Sequence, residues 1–270
     1  MNNTDIAIRV RNLTCAYGDY KVVDDISFDV RKGEIFVILG GSGCGKSTVL
    51  KHLIGLYAPV AGSIEVQGDD IVTAQGRVRD AILRRFGVMY QMGALFGSMS
   101  LLSNVMLPLE EFTDLPSDAR ELVARSKLAM VGLQDFACNM PATLSGGMQK
   151  RAAIARAMAL DPDILFLDEP SAGLDPITSA ELDALIRTLS RNLGITFVIV
   201  SHELASIYSV ADSVIMLDKK VRRIVAQGDP RVLRDTSDNE LVRRFFHRQA
   251  ETDAARETAG RAETFASKET

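Results

Sequence analysis

Residues 40–48 read GGSGCGKST, directly after the apolar run IFVIL and directly before a stretch with helical spacing, Lys46 to Leu56. The order glycine, four residues, glycine, lysine, serine has a physical meaning only where a buried strand ends in a loop that opens a helix. There the glycines let the backbone curl until successive N–H groups converge at the positive end of the helix, which makes the loop a receptor for a phosphate chain. Gly40, Gly41, Ser42, Gly43, Cys44, Gly45 and Thr48 form the expected cradle. Lys46 is expected to neutralise the β and γ phosphates, and Ser47 to hold Mg²⁺.

Such a loop requires a parallel sheet, and the sequence supplies one. DILFLDE (163–169) and ITFVIVS (195–201) are apolar runs separated by the helical DPITSAELDALIRTLSRN, an order of strand, helix and strand that implies parallel pairing with right-handed crossovers. The first run stops at Asp168 and Glu169, so both carboxylates are expected at the C-terminal edge of the sheet, where open α/β sheets bind ligands. Asp168 would orient Mg²⁺ through water, and Glu169 would act as general base on an attacking water. His202 closes the second run and is expected on the same edge, as a donor to a γ-phosphate. His52 and His247 are read as structural or exposed. Residues 4–38 read as short strands, and GSIEVQGDDI as a further strand pair with glycine turns. From Arg77 to about Leu144 the pattern turns helical, with LPSDARELVARSKLAMVGL amphipathic behind a Pro-Ser-Asp start. A helical insert of about residues 90–158 is expected inside one domain of residues 6–246, followed by a polar, solvated tail over 247–270.

A second glycine-bearing helix start lies in TLSGGMQKRAAIARAM, residues 143–158. Ser145, Gly146 and Gly147 bring a hydroxyl, a flexible backbone and exposed N–H groups, with no lysine at the start. A cradle of that kind suits an anion already neutralised elsewhere. It is expected to close over the nucleotide held by a second copy of the chain, and two-fold symmetry then makes a homodimer with two equivalent composite sites.

Bulk properties remove other classes. With 47% hydrophobic and 24% charged residues, the 270-residue chain has the composition of a globular protein, and a net charge of −4 gives no field that would draw it to nucleic acid. Cys15, Cys44 and Cys138 are scattered, without the spacing of a zinc site or a disulfide framework, which fits a reducing compartment. No signal pattern opens the sequence, and IFVIL and ITFVIV are far shorter than the ~20 residues that span a bilayer. Work at a membrane would need another protein as anchor.

The order GGSGCGKST, Gln91, LSGGMQ, ILFLDEP, SAGLDP and SH, spread from residue 6 to about 246, resembles the ATP-binding cassette (ABC) ATPases. The resemblance implies a P-loop NTPase fold: a RecA-like parallel-sheet core, an N-terminal antiparallel β subdomain and an α-helical insert. It implies ATP and Mg²⁺ as ligands and ATP hydrolysis as the activity. Tyr17 would stack on adenine, Gln91 would contact Mg²⁺ and the attacking water, Ser145 to Gly147 would meet the opposing γ-phosphate, and Asp175 would link the two sites. The family's usual glutamine after LSGG is Met148 here, with Gln149 following, and Gln149 is expected with Ser145 to Gly147 among the residues that bind the opposing nucleotide.

Between residues 88 and 109, VMYQMGALFGSMSLLSNVMLPL gathers Met89, Met92, Leu95, Phe96, Met99, Leu101, Leu102 and Met106 beside Gln91. About half are expected to pack the insert's own core and the rest to receive a helix of a membrane permease. The wording QMGALFGSMSLLSNVMLPL, with LSGGMQKRAAIARAMALDP, GLDPITSAELDALI and VSHELASIYSVADSVIML, is similar to the ATPases of lipid-asymmetry (Mla) and MCE-type phospholipid transport. That similarity implies an integral permease partner, a periplasmic MCE lipid-binding protein, phospholipid as cargo, and a cytoplasmic position on the inner membrane. ATPases of other ABC importers or exporters share the motifs. A DNA-repair or ribosomal cassette would carry a long coiled-coil insert or a second cassette, and neither is seen; a GTPase or kinase would leave LSGGM without a role.

Overall fold

The computed structural model describes residues 5–91 and 93–248, so Met92 and the tail beyond Arg248 lie outside the described residues. Two sheets carry the chain. The first is antiparallel, with β1 (Ile6–Tyr17), β2 (Tyr20–Arg31), β4 (Ala61–Val66) and β5 (Asp69–Asp70) in the order β2-β1-β4-β5. The second has six strands in the order β10-β9-β3-β8-β7-β6: β3 (Ile35–Gly40), β6 (Phe86–Met89), β7 (Ile164–Asp168), β8 (Thr196–Val200), β9 (Ser213–Leu217) and β10 (Ile224–Gly228). Its pairs are parallel except β9 with β10.

The continuous apolar runs follow from this sheet having cores on both faces. Ile35, Val37, Leu39, Leu165, Leu167, Phe197 and Ile199 point to one core. Their neighbours Phe36, Ile38, Ile164, Phe166, Val198 and Val200 point to the other. The second core lies between the two sheets and takes in Val49, Leu50 and Leu53 of α1 (Lys46–Leu53). The first is roofed by the helical part of the chain: α3 (Leu101–Phe112), α4 (Ser117–Met130), α5 (Gly146–Ala157), α6 (Pro176–Leu193) and α7 (Leu204–Val210). Burying each large side chain there contributes about 1.5–3 kcal/mol. Two further helices follow among the described residues, α8 (Pro230–Thr236) and α9 (Glu240–His247), with Val242 and Phe246 of α9 buried in the first core.

Three differences from the sequence reading stand out. The stretch from Arg77, read as helical throughout, has helix α2 (Gly76–Leu83) followed by strand β6, which extends the parallel sheet alongside β7 from Phe86↔Ile164 to Met89↔Leu167. Four residues are too few to display a period. The strands before β3 are long rather than short, with 12 residues each in β1 and β2, because register shifts let them bend without ending. His247 belongs to the last helix rather than to a tail.

Candidate nucleotide site and the cassette family

The register of the large sheet brings the chemistry together. Ile38 of β3 and Asp168 of β7 both pair with Val200 of β8, so the strands end side by side. One residue further on lie Glu169 after β7 and, two after Val200, His202 after β8. Gly40 ends β3 and begins the glycine loop. A cleft of about 750 Å³ runs over this edge, lined by Tyr17, Tyr20, Val22, most of residues 40–48, Gln91, Glu169, His202 and Phe245.

The loop is tight for a reason visible at its first residue. Gly40 has φ 147°, and a Cβ there would stand 2.5 Å from the Leu217 carbonyl oxygen and 2.6 Å from Cys44 Sγ. Cys44 is buried beneath the loop, and burial pushes its thiol above the ordinary value. Lys46 folds back over the turn and donates to the carbonyls of Gly40 (2.9 Å) and Gly41 (3.2 Å). Gly45 caps α1 in the left-handed region, φ 102°, with no side-chain cap, so the first N–H groups of α1 have no side-chain acceptor at the Ncap.

Ser47 Oγ donates to Asp168 Oδ1 at 3.1 Å. Burial pushes the Asp168 carboxyl above its usual range, and the Ser47 hydroxyl pulls it down. Next to it, Glu169 is 8% exposed and holds φ 49°, a left-handed conformation uncommon for glutamate. Its Oε1 lies 2.8 Å from His202 Nδ1, while the His202 side chain is 64% exposed. Tyr17 ends β1 half-exposed, edge-on to Tyr57 at 6.1 Å. Of the other histidines, His52 is buried with Nδ1 2.8 Å from the Thr48 carbonyl oxygen, and His247 is exposed.

The second glycine start is built differently. Ser145 caps α5, its Oγ accepting from Met148 N at 3.3 Å. Ser145 and Gly146 are exposed, and none of Ser145, Gly146, Gly147, Gln149 or Asp175 lines the cleft of their own chain. The Gln149 amide donates to the carbonyls of Pro141 (3.0 Å) and Leu144 (3.2 Å), holding the chain that leads into the helix rather than facing outward. Met148 is half-buried against the helical core. Asp175 caps α6, accepting from the N–H groups of Ile177 and Thr178 and from the Thr178 hydroxyl at 2.5 Å. These bonds hold its carboxyl below the usual range.

Within the methionine-rich segment, Met89 and Leu101 are fully buried, Leu95, Leu102 and Met106 pack partly against the helical core, and Phe96 is 51% exposed. Met92 lies outside the described residues. Three cleft residues escaped the sequence reading. Tyr20 and Val22 stand on β2 across the hairpin from Tyr17, and an apolar-aromatic strand beside that tyrosine was the available signal. Phe245 comes from α9, and nothing in its local sequence indicates that the last helix folds back over the site.

The family model for ABC transporters matches residues 23–172. The chain belongs to the ABC transporter family. It is 40% identical over 236 residues to the intermembrane phospholipid transport system ATP-binding protein MlaF of Haemophilus influenzae, covering 87% of this chain and 88% of that protein. It is 41% identical over 242 residues to a protein of Mycobacterium leprae named a probable ribonucleotide transport ATP-binding protein, mkl, covering 90% of this chain and 69% of that one. Among solved structures it is similar to the dimeric post-hydrolysis state of the ATP-binding cassette MJ0796 bound to ADP and Pi, with a TM-score of 0.74 and 28% identity over 82% of this chain and 98% of that one. The chain is thus an ABC ATPase that binds adenine nucleotide, with the cassette fold expected from its motifs. Among the described residues no helix is long and apolar enough to cross a membrane.

Proposed function

We propose that two copies of this chain form an ATP-driven clamp on the cytoplasmic face of the inner membrane, coupled to an integral permease that moves phospholipid with a periplasmic MCE lipid-binding protein. The observation that carries the clamp is the separation of the two cradles: the loop at 40–48 lines the cleft, while Ser145, Gly146 and Gly147 lie outside it, with Ser145 and Gly146 exposed. An outward N-terminus without a cation suits an anion that another molecule holds and neutralises.

In this reading, ATP lies with its base against Tyr17 and its phosphates on the loop N–H groups, and Lys46 leaves its own carbonyls for the β and γ phosphates. Ser42, Gly43 and Thr48 complete the cradle. The oxygen donors Ser47, Asp168 and Gln91 suit Mg²⁺, a hard cation that takes few protein ligands and keeps water and phosphate oxygens. Bound Mg²⁺ supplies neutralisation of phosphate charge.

Glu169 takes the proton of a water as that oxygen bonds to the γ-phosphorus and the bridging oxygen departs with ADP. His202, held through Nδ1 to Glu169 Oε1, keeps its Nε2 for the γ-phosphate. Ser145, Gly146 and Gly147 of the second copy close over the same phosphate, and Asp175 lies between the two sites. Loss of the γ-phosphate removes the charge that joins the copies, and the dimer opens.

Phospholipid is favoured as cargo because MlaF matches along nearly its whole length. The test is to purify the full chain with the membrane proteins that accompany it and identify bound lipid by mass spectrometry. Phospholipid retained by the complex and released on ATP addition is expected; a complex that carries none, or moves a soluble solute, overturns the assignment.

A further inference from the structure

Three cations leave helix α5 after its first turn, and they go different ways. Arg151 pairs with Glu181 of α6 at 2.5 Å. Arg156 donates to the carbonyls of Ala94 (2.7 Å) and Gly93 (3.3 Å) in the loop that follows Gln91. Lys150 is 8% exposed and points inward: its ammonium donates to the Gln91 carbonyl and lies 3.5 Å from the Glu169 carbonyl. The second cradle therefore does have a lysine close by, one turn in and aimed at its own chain's cleft instead of outward.

The two carbonyls that Lys150 joins belong to the residues placed nearest the γ-phosphate and the attacking water. Both sit on backbone that needs holding. Glu169 has φ 49°, and the Gln91 loop passes through Gly93 at φ 72° and Ala94 at φ 52°. Non-glycine residues keep such conformations only where their surroundings fix them. A neutral donor would satisfy one carbonyl; an ammonium offers three N–H groups and a charge on a flexible stem, so it bridges two carbonyl oxygens on separate strand ends.

We propose that Lys150 is a positioning residue for ATP hydrolysis, tying the helix whose first turn faces the partner's nucleotide to the Gln91 loop and Glu169 of its own chain. Closure of the second copy on α5 then sets the geometry of the first copy's water and base. This inference rests on the composite-site reading above. It accounts for a buried cation with no carboxylate bonded to it, and it gives the two sites of the dimer a physical connection through one rigid helix.

The test compares Lys150→Met, which keeps the stem and loses every donor, with Lys150→Arg, using the full-length chain. Misplacement of reacting groups by about 1 Å costs on the order of 100-fold, so kcat for ATP in Lys150→Met is expected to fall roughly 10- to 100-fold with KM little changed. In the Glu169→Gln background, Lys150→Met is expected to dimerise on ATP as before, since the first turn of α5 is untouched. Lys150→Arg is expected to recover most of kcat. A Lys150→Met enzyme with kcat within twofold of the parent, or a loss of kcat accompanied by equal loss of ATP affinity, overturns the proposal. If Lys150→Met fails to fold, as read by circular dichroism, Lys150→Gln takes its place, with an intermediate kcat expected and an unchanged one contradicting. Failure of the underlying reading is separately visible: the unaltered chain would then not hydrolyse ATP, or its Glu169→Gln variant would not dimerise.

Discussion

The two glycine-bearing helix starts of this chain share composition and differ in construction. At Gly40–Ser47 the Ncap of α1 is a left-handed glycine without a side-chain cap, the loop curls over a buried thiol, and Lys46 waits on its own carbonyls. At Ser145–Gly147 the cap is an ordinary extended serine, with φ −64°, that satisfies Met148 N, and the nearest lysine, Lys150, points inward to the Gln91 carbonyl. Even the reason for glycine differs. Gly40 is required by a left-handed backbone. Gly147 is required by a neighbour, because a Cβ there would stand 2.3 Å from Thr178 Cγ2. The first start lines a cleft with room for a polyphosphate, and the second lies outside that cleft, where the proposed clamp would set it against the nucleotide of a second copy. A helix N-terminus becomes a nucleotide receptor or a dimer surface according to what surrounds it.

Substitutions that erase these differences have graded effects. Lys46→Ala makes the first start as cation-poor as the second, and loss of a charge that pairs with phosphate costs about 3–5 kcal/mol. ATP affinity, measured by titration with a fluorescent analogue, is expected to fall by roughly two to four orders of magnitude at about 1.4 kcal/mol per tenfold, and hydrolysis with it. Gly147→Ala meets a threonine whose rotamer is held by its hydroxyl bond to Asp175. It is expected to destabilise the chain by about 1–3 kcal/mol, read by denaturant unfolding. Adding Thr178→Ser removes the clashing methyl, keeps the hydroxyl and should restore most of that loss. Ser145→Ala is the mildest: losing the cap costs about 1 kcal/mol of stability, with ATP affinity of the single chain unchanged because Ser145 does not line its cleft.

Much of this was legible in the sequence, and the failures share a cause. The strand-loop-helix at residue 40, the carboxylates after β7 and the histidine after β8 could be read because each is local: an apolar run ends and a polar side chain follows. The buried strands were legible because cores on both faces remove alternation. Strand β6 was hidden by its brevity. Lys150 and Phe245 were hidden because their importance depends on which remote carbonyl or cleft they reach, and no periodicity records that. The same holds for Gln149, whose amide is spent on Pro141 and Leu144 although its place in the motif suggests an outward role. Cys15 and Cys44 lie buried, and burial lifts the Cys15 thiol to about 12.

The central claim is that the second start completes the first copy's site from outside. The direct measurement is sedimentation of the Glu169→Gln chain with ATP and Mg²⁺, with and without an added Ser145→Arg, while bound nucleotide is counted. A dimer holding two ATP molecules is expected for the single variant, and ATP-loaded monomers for the double variant. A single variant that binds ATP and stays monomeric, or a double variant that still dimerises, would contradict it.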